Sequence, residues 1–242
     1  MAPTLSNKPP AGQSNLPVPV RRRVPRIAPI PRTHGLKAGE LVKLHHSLAE
    51  SMHSEAGVVC QFVAAESGAG TEDVGYDLAY ISAAWLGKRV LFVNATATNA
   101  EAPPRIGARG KAPLLGQDDA FDNVENRITR VMGLELYQMK MPSMRGSLDL
   151  APTLKRIPEF LAKLREAFDM VVVASPAATE APIGVLLSRF VDGNILVLEA
   201  GRTRAPVALE LRNSLSASGG MVVGAVLTRY RSYVPRLLRR WI

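Results

Sequence analysis

The stretch that decides the fold is AAESGAGTEDVGYDLA, residues 64–79. It continues from an apolar run, GVVCQFVAA at 57–65, and carries Gly68 and Gly70 just before a helical pattern. A strand, a glycine turn and a helix in this order form the frame of a phosphate-binding loop, whose main-chain N–H groups surround the phosphates. The stretch therefore predicts a strand–loop–helix unit of that kind.

The residues that follow the last glycine do not suit a phosphate. A phosphate-binding loop carries Lys and then Ser or Thr at this point, whereas the chain has Thr71, Glu72 and Asp73. Carboxylates favour the positive end of a helix, but they repel a triphosphate. At ~4 Å, two like charges repel by about 1 kcal/mol even in water.

Apolar runs and helical patterns alternate through the rest of the chain. Nearly continuous apolar runs predict strands at 57–65, 89–95, 169–174, 193–199 and 221–228. Helical spacing predicts helices at 38–54, 72–86, 149–168, 182–190 and 206–219. Strands that are apolar throughout are typical of a parallel sheet with both faces covered. We therefore predict a single-domain α/β fold: a doubly wound, mainly parallel sheet with helices on both faces.

Three segments are harder to assign. NVENRITRVM at 123–132 favours a helix and LELYQMKM at 134–141 a strand, while residues 96–120 indicate a long loop. Pro158 lies inside a predicted helix, where proline removes a hydrogen bond, so we expect a break or kink there.

The positive charge lies at the two ends of the chain. The net charge is +9, but residues 1–38 hold seven Lys or Arg and no acid, and residues 201–242 hold eight and one acid. The middle of the chain has 15 basic and 20 acidic residues. We predict a disordered Pro/Arg-rich arm at 1–37, an α/β domain at 38–228 and a basic apolar tail at 229–242. Without a signal peptide's apolar core or a membrane-spanning run, the expected location is the cytoplasm.

Five motifs in order carry a resemblance to a known family. They are GAGTED at 68–73 together with DLA at 77–79, GKRVLFVNAT at 87–96, FDMVVVASPA at 168–177, VDGNILVLEAGRTR at 191–204 and GAVLTRY at 224–230. In this order the chain, over roughly 38–230, resembles the P-loop ATPases of the MinD/ParA type. It is identified as a degenerate member of their bacterial tyrosine-kinase (CpsD/CapB-like) branch, the cytoplasmic partners of polysaccharide chain-length regulators.

The resemblance implies a nucleotide pocket whose chemistry is missing here. Thr71 and Glu72 replace the family's lysine and metal-binding hydroxyl. Asn94, Thr96 and Ala174 replace its aspartates, and Thr228 replaces an asparagine. The positions that correspond to the pocket are Gly68, Gly70, Thr71, Glu72, Asp73, Asn94, Thr96, Ala174, Arg202 and Thr228. We therefore predict no catalytic residue, no metal and no cofactor, although weak ATP or ADP binding through the loop amides stays open.

Two further regions are candidate contact sites. Glu40, Lys43 and His46 resemble the family's subunit-contact motif and share one helical face at a spacing of three, the alternative being an ordinary polar helix face. The family also ends in a tyrosine cluster, whereas this chain has only Tyr230 and Tyr233 there, too few to form a cluster. The expected phospho-acceptor or docking tail consists of Tyr230, Tyr233, Arg236, Arg239, Arg240 and Trp241. Arginines interleaved with apolar residues suit a partner or an anionic membrane surface, the alternative being a tail packed on the core.

The function implied by the resemblance is that of an inactive scaffold or regulator. It would act in exopolysaccharide synthesis or export, at the inner face of the cytoplasmic membrane. The expected partner is a membrane-embedded chain-length or export protein, together with copies of this chain or an active relative. One alternative is a divergent ATP-binding tyrosine autokinase in which Lys88 or Lys111 enters the site. The other is a MinD/ParA-like adaptor that positions membrane or DNA, but no nucleic-acid-binding module is recognisable, so nucleic acid is not the expected partner.

Overall fold

A computed structural model describes residues 36–52, 57–96, 127–131, 133–141 and 150–230. Within these ranges the strands are β1 (Val58–Ala64), β2 (Val90–Asn94), β3 (Thr129–Arg130), β4 (Leu136–Lys140), β5 (Met170–Ala174), β6 (Gly193–Glu199) and β7 (Val222–Thr228). The helices are α1 (Ala38–Ser51), α2 (Thr71–Ala84), α3 (Leu150–Ala167), α4 (Ile183–Leu187) and α5 (Ala205–Ala217), and a 3-10 turn spans Ser188–Phe190.

The strands form one sheet in the order β3-β4-β2-β5-β1-β6-β7. Five of the neighbouring pairs are parallel, and β3 pairs antiparallel to β4. The central strand β1 lies between β5 and β6, and Val59–Ala64 are all buried in it. The predicted mainly parallel sheet is thus confirmed. The carboxyl ends of its parallel strands lie together along one side of the sheet, called the carboxyl edge below.

Helices cover both faces of the sheet, as predicted. On one face, Leu41 of α1 and Leu78 of α2 pack with Phe62 of β1 in a single apolar cluster. On the other face, Ile157 and Leu161 of α3 belong to a cluster with residues of β1, β2 and β5, namely Val59, Leu91, Val93, Val171 and Val173. A third cluster brings Leu211 and Leu215 of α5 against Val63 and Leu196. In the ranges described, no helix combines the length and the apolarity needed to cross a membrane.

The prediction of a helix at 123–132 is wrong for residues 127–131, the part of this range that the structure describes. Thr129 and Arg130 are instead the short strand β3, which pairs with Gln138 and Tyr137 of β4. The Arg130 guanidinium lies 5.7 Å from the centre of the Tyr137 ring and forms an ion pair with Glu135. Pairing with the edge of the sheet therefore overrides the local helical pattern.

Pro158 does not break α3, which is a single helix from Leu150 to Ala167. Pro158 is exposed, while Ile157, Leu161 and Leu164 on the inner side are buried against the sheet. This continuous apolar contact holds the helix together despite the hydrogen bond that proline removes.

The predicted boundaries of the α/β domain, with the arm at 37/38 and with the tail at 228/229, remain predictions. Residues 1–35 of the predicted arm, 97–120 of the predicted loop and 231–242 of the predicted tail lie outside the described residues.

Candidate functional site

The glycine loop lies at the carboxyl edge of the sheet, between β1 and α2. Gly68 and Gly70 have φ values of 80° and 87°, a region that side chains rarely enter, so these two glycines allow the turn. Thr71 begins α2 and is 8% exposed. The Thr228 hydroxyl at the end of β7 donates to the Ala69 carbonyl at 2.8 Å. The loop is thereby tied to the far side of the sheet.

Helix α2 packs closely on the sheet behind the loop. A Cβ added at Gly75 would lie 3.3 Å from the Phe92 ring and 3.7 Å from the Ala174 Cβ. Ala174 ends β5 and is fully buried, with the methyl group facing α2. The strand end that the resemblance associates with a metal-facing aspartate is therefore filled by apolar packing.

The Glu72 carboxylate forms a hydrogen bond with a side chain just after the end of β2. The Thr96 hydroxyl lies 3.2 Å from a carboxylate oxygen of Glu72 and 2.7 Å from the Asn94 side-chain oxygen. The Thr96 N–H also donates to that Asn94 oxygen, at 2.9 Å. Three of the positions predicted from the sequence thus form a hydrogen-bonded group across the gap between α2 and β2. Among the residues described, no Lys or Arg forms an ion pair with Glu72.

Two arginines lie on the opposite side of the loop. Arg202 and Arg229 both pair with Glu199, at 3.3 and 2.7 Å. The Arg202 guanidinium also reaches the loop, because one of its nitrogens lies 3.4 Å from where a Gly68 Cβ would stand. Sequence reasoning had singled out Arg202 but not Glu199 or Arg229. Their positions just at or after the carboxyl ends of β6 and β7 were the available signal.

The structure brings together all ten positions predicted for the pocket, at one edge of the sheet. The carboxylates of Glu72 and Asp73 lie in the first turn of α2, and the Arg202 guanidinium lies beside Gly68. Across the described residues, no three His, Cys, Asp or Glu side chains are close enough to hold a metal ion. The loop amides and Arg202 could bind an anion, while the Ala174 side chain offers no atom for metal coordination.

Lys88 lies away from this site, so it is not the lysine that would enter the pocket in the autokinase alternative. It precedes β2 and lines a cavity of about 880 Å³ at the amino edge of the sheet, together with His45 and Asp169. Strand β2 is five residues long, so about 17 Å separates its amino end, near Lys88, from its carboxyl end at the glycine loop. Lys111 lies outside the described residues.

His45 is half-buried between α1 and α2. The Ser82 hydroxyl donates to the Leu78 carbonyl at 2.8 Å, so its oxygen accepts the bond from His45 Nδ1, also 2.8 Å long. Burial lowers the pKa of His45, and the charges of Lys88 and His46 lower it further. Because burial disfavours the charged ring, His45 joins the two helices in its neutral form.

The predicted contact residues lie away from the pocket. Glu40, Lys43 and His46 are exposed on α1, where the Glu40 carboxylate accepts the Lys37 N–H at 2.8 Å and His46 lies 3.3 Å from Glu50. Tyr230 is 65% exposed just after β7. The other predicted tail residues, Tyr233, Arg236, Arg239, Arg240 and Trp241, lie outside the described residues.

Comparisons with known proteins show which fold this is. No protein-family model matches the sequence, and a search of curated proteins found no match. Among solved structures, the chain is similar to the BceF tyrosine kinase domain, with 20% identity, a TM-score of 0.60 and coverage of 78% of this chain and 76% of that one. It is also similar to the kinase domain of the Escherichia coli tyrosine kinase ETK, with 17% identity and a TM-score of 0.62. That match covers 82% of this chain and 79% of the ETK domain.

A second group of similar structures consists of MinD proteins. The septum site-determining protein MinD from Pyrococcus horikoshii OT3, complexed with Mg-ADP, has 17% identity and a TM-score of 0.51, with 76% of each chain covered. The chain therefore has the fold shared by bacterial tyrosine kinase domains and MinD, as the sequence motifs predicted.

Proposed function

We propose that this protein is a catalytically inactive, kinase-like scaffold or regulator of exopolysaccharide synthesis or export. The observation that carries the proposal is the hydrogen-bonded group of Glu72, Thr96 and Asn94 at the mouth of the glycine loop. In a nucleotide-binding loop this region needs positive charge and a metal-binding hydroxyl. Here a carboxylate occupies the first turn of the helix, and its described partner is a neighbouring hydroxyl.

The buried methyl of Ala174 supports the same conclusion independently. Phosphoryl transfer depends on a metal ion that bridges the phosphates and on acids that hold it. Ala174 packs against Gly75 and provides no oxygen from its side chain. Restoring a single residue at the loop would therefore leave the metal site incomplete.

The pathway and the partner rest on the fold and on the sequence resemblance. Fold alone does not fix function, and contact surfaces must account for a scaffold's role. The exposed face of α1 with Glu40, Lys43 and His46 suits contacts with further copies of the chain or with an active relative. The basic ends suit a membrane-embedded chain-length or export protein at the inner face of the membrane.

Arg202 favours a second candidate, a divergent nucleotide-binding autokinase. Its guanidinium stands beside Gly68, near the N–H groups that would surround a phosphate. Guanidinium groups bind phosphates in a bidentate manner, so Arg202 is the cation that could replace the missing lysine. Its pairing with Glu199 opposes this role by neutralising the charge.

Titration with Mg-ATP and with Mg-ADP separates the two candidates. A ligand that binds only the folded state raises the melting temperature, so the scaffold proposal predicts no shift at millimolar nucleotide. The Thr71→Lys variant should likewise show no ATP hydrolysis, because Ala174 still lacks a metal ligand. A kinase domain of the same fold serves as the positive control.

A nucleotide-dependent shift that disappears in Arg202→Ala would instead establish the second candidate. The pathway is tested by deleting the gene and measuring secreted polysaccharide. Under the scaffold proposal, the wild-type chain and the Arg202→Ala variant restore secretion equally. Unchanged secretion in the deletion strain would refute the assignment to this pathway.

A further inference from the structure

The cavity of about 880 Å³ that Lys88 lines is a second concave site, at the amino edge of the sheet and away from the glycine loop. Within the described residues its wall is formed by the end of α1, the start of β1, the turn between α2 and β2 and the turn between α3 and β5. Small-molecule sites in proteins have volumes of about 300–1,000 Å³. This amino-edge cavity is therefore large enough for a small organic ligand.

Part of the cavity lining is apolar and firmly held. Met52, Phe168 and Met170 line it and are buried. Gly57 donates its N–H to the Arg165 carbonyl at 3.0 Å, and a Cβ added at Gly57 would clash with the Phe168 carbonyl. This close main-chain contact fixes the start of β1 against the end of α3, so the apolar surface is formed before any ligand binds.

His45 and Lys88 belong to two different elements of the wall that meet at Ser82. The Ser82 hydroxyl accepts the bond from His45 Nδ1 at 2.8 Å, and the Ser82 carbonyl accepts the Lys88 main-chain N–H at 3.0 Å. The two residues thus lie side by side in the cavity wall. Because Nδ1 is bonded to Ser82, Nε2 is the ring nitrogen that would take up a proton.

Lys88 is the cation of the lining that is available to a ligand. Across the residues described, no Asp or Glu forms an ion pair with it. By contrast, Arg165 pairs with Asp192 at 2.9 Å, and the Arg89 guanidinium lies 5.4 Å from the centre of the Phe168 ring. An anionic group in the cavity would therefore find the Lys88 ammonium without a competing carboxylate partner.

Two acids also line the cavity, and they define the competing possibility of a cationic ligand. Asp169 accepts the Arg89 main-chain N–H at 2.8 Å, so a bond within the protein already stabilises its charge. Glu166 is exposed and has no ion pair with any described residue. Glu166 has no second free acid beside it, whereas Lys88 has His45, so the lining favours an anion.

We propose that the amino-edge cavity binds a small organic anion, whose charged group contacts Lys88 and His45 and whose apolar body lies on Met52 and Phe168. The ammonium supplies a charge-assisted bond, and the buried side chains remove the apolar body from water. The proposal goes beyond the scaffold role and stands whether or not the glycine loop binds nucleotide.

Two fluorescent dyes that differ in charge test the proposal on the full-length chain. Anilinonaphthalene sulfonate is an organic anion, and phenylnaphthylamine is the neutral counterpart that lacks the sulfonate. We expect saturable binding of the sulfonate dye, weakened about tenfold by Lys88→Met, with the binding of the neutral dye little changed. Lys140→Met is the matched control, because it removes the same charge at the end of β4, on the carboxyl edge, and it should leave both dyes bound as in the wild type.

A bulky substitution locates the bound dyes. Ala49 is an exposed residue of α1 that lines the cavity, so Ala49→Trp should exclude both dyes without disturbing the fold, which circular dichroism verifies. Undiminished binding of both dyes to a folded Ala49→Trp protein would place them elsewhere and overturn the proposal.

The pH dependence of binding gives a readout specific to His45. The charge of Lys88 contributes to lowering the pKa of His45, and a bound anion offsets that repulsion, so binding should be accompanied by proton uptake on the ring. The charged or titratable groups around His45 are its neighbour His46 on α1 and, in the cavity wall, Lys88, Arg89, Arg165, Glu166 and Asp169. The sulfonate dye should bind more tightly below pH 6.5 than above it, and His45→Gln, unlike His46→Gln, should remove this difference.

Three further results would contradict the proposal. Equal weakening of the sulfonate dye by Lys88→Met and Lys140→Met would show a response to net charge alone. Equal loss of the charged and the neutral dye in Lys88→Met would show that the cavity does not select an anion. Weaker binding of the sulfonate dye in Glu166→Gln would contradict an anion site, because removing a nearby negative charge should leave anion binding unchanged or tighter.

Discussion

At the scale of single residues, the side chains around the glycine loop have local partners within the protein. The Thr228 hydroxyl binds the Ala69 carbonyl, and the Ala174 methyl packs behind α2 at Gly75. The residue types alone show that neither a lysine follows Gly70 nor an acid ends β5. Their partners could not be predicted, because Thr96 lies 24 positions from Glu72 and Thr228 lies 159 from Ala69.

His45 makes the stability of the protein depend on pH. Its pKa in the folded state lies below the ordinary value of 6.5, so the unfolded chain binds the proton more tightly. The free energy of unfolding should therefore be greatest above pH 6.5, fall as the pH drops below 6.5 and level off below the folded-state pKa. Urea unfolding followed by circular dichroism across this range measures the effect.

His45→Gln should flatten this part of the profile, since glutamine can still bond Ser82 but does not titrate. The neighbouring His46→Gln serves as the matched control and should keep the fall in stability due to His45. An unchanged slope in His45→Gln would remove His45 as the cause.

At the scale of elements, buried faces decide which local patterns persist. Helix α3 continues through Pro158 because Ile157, Leu161 and Leu164 pack on the sheet. In the same way β3 forms where a helix was expected, because β4 offers it an edge. A local sequence window contains neither packing surface, which is why it predicts a break at Pro158 and a helix at β3.

Replacing Pro158 with alanine should stabilise α3. Alanine restores the main-chain donor and relieves the clash with the preceding turn, and proline in a helix interior costs about 3 kcal/mol relative to alanine. Part of that cost is already relieved in the native helix, so we expect the free energy of unfolding to rise by about 1–2 kcal/mol. Denaturant unfolding measures the change.

The exposed Lys155→Ala change in the same helix is the control and should stay within about 0.5 kcal/mol of the wild type. A Pro158→Ala protein no more stable than this control would mean that the sheet face, and not the proline, sets the stability of α3.

At the scale of the whole molecule, Asp192 joins elements that are far apart in sequence. One of its carboxylate oxygens accepts the Val59 N–H of β1 at 2.7 Å, and the other accepts from Arg165 of α3 at 2.9 Å. The Arg165 guanidinium also donates to the Phe190 carbonyl. Asp192 thus anchors the central strand to the helix that covers it, at the end opposite the glycine loop.

Asp192→Ala should lower the free energy of unfolding by about 2 kcal/mol, because a main-chain donor at the start of β1 loses its partner. As a matched control, Glu159→Ala removes the exposed pair with Lys163 and should cost at most about 0.5 kcal/mol. Equal effects of the two substitutions in urea unfolding would argue against an anchoring role for Asp192.

The sequence by itself determined the mainly parallel sheet, its covering helices and the positions at its carboxyl edge. Continuous apolar runs and glycine turns are local properties, and the edge follows once the strands run parallel. Only the tertiary structure decided that Lys88 lies at the opposite end of β2 and that Arg202 stands beside Gly68. These depend on distances between residues remote in the chain, which packing sets and no local pattern encodes.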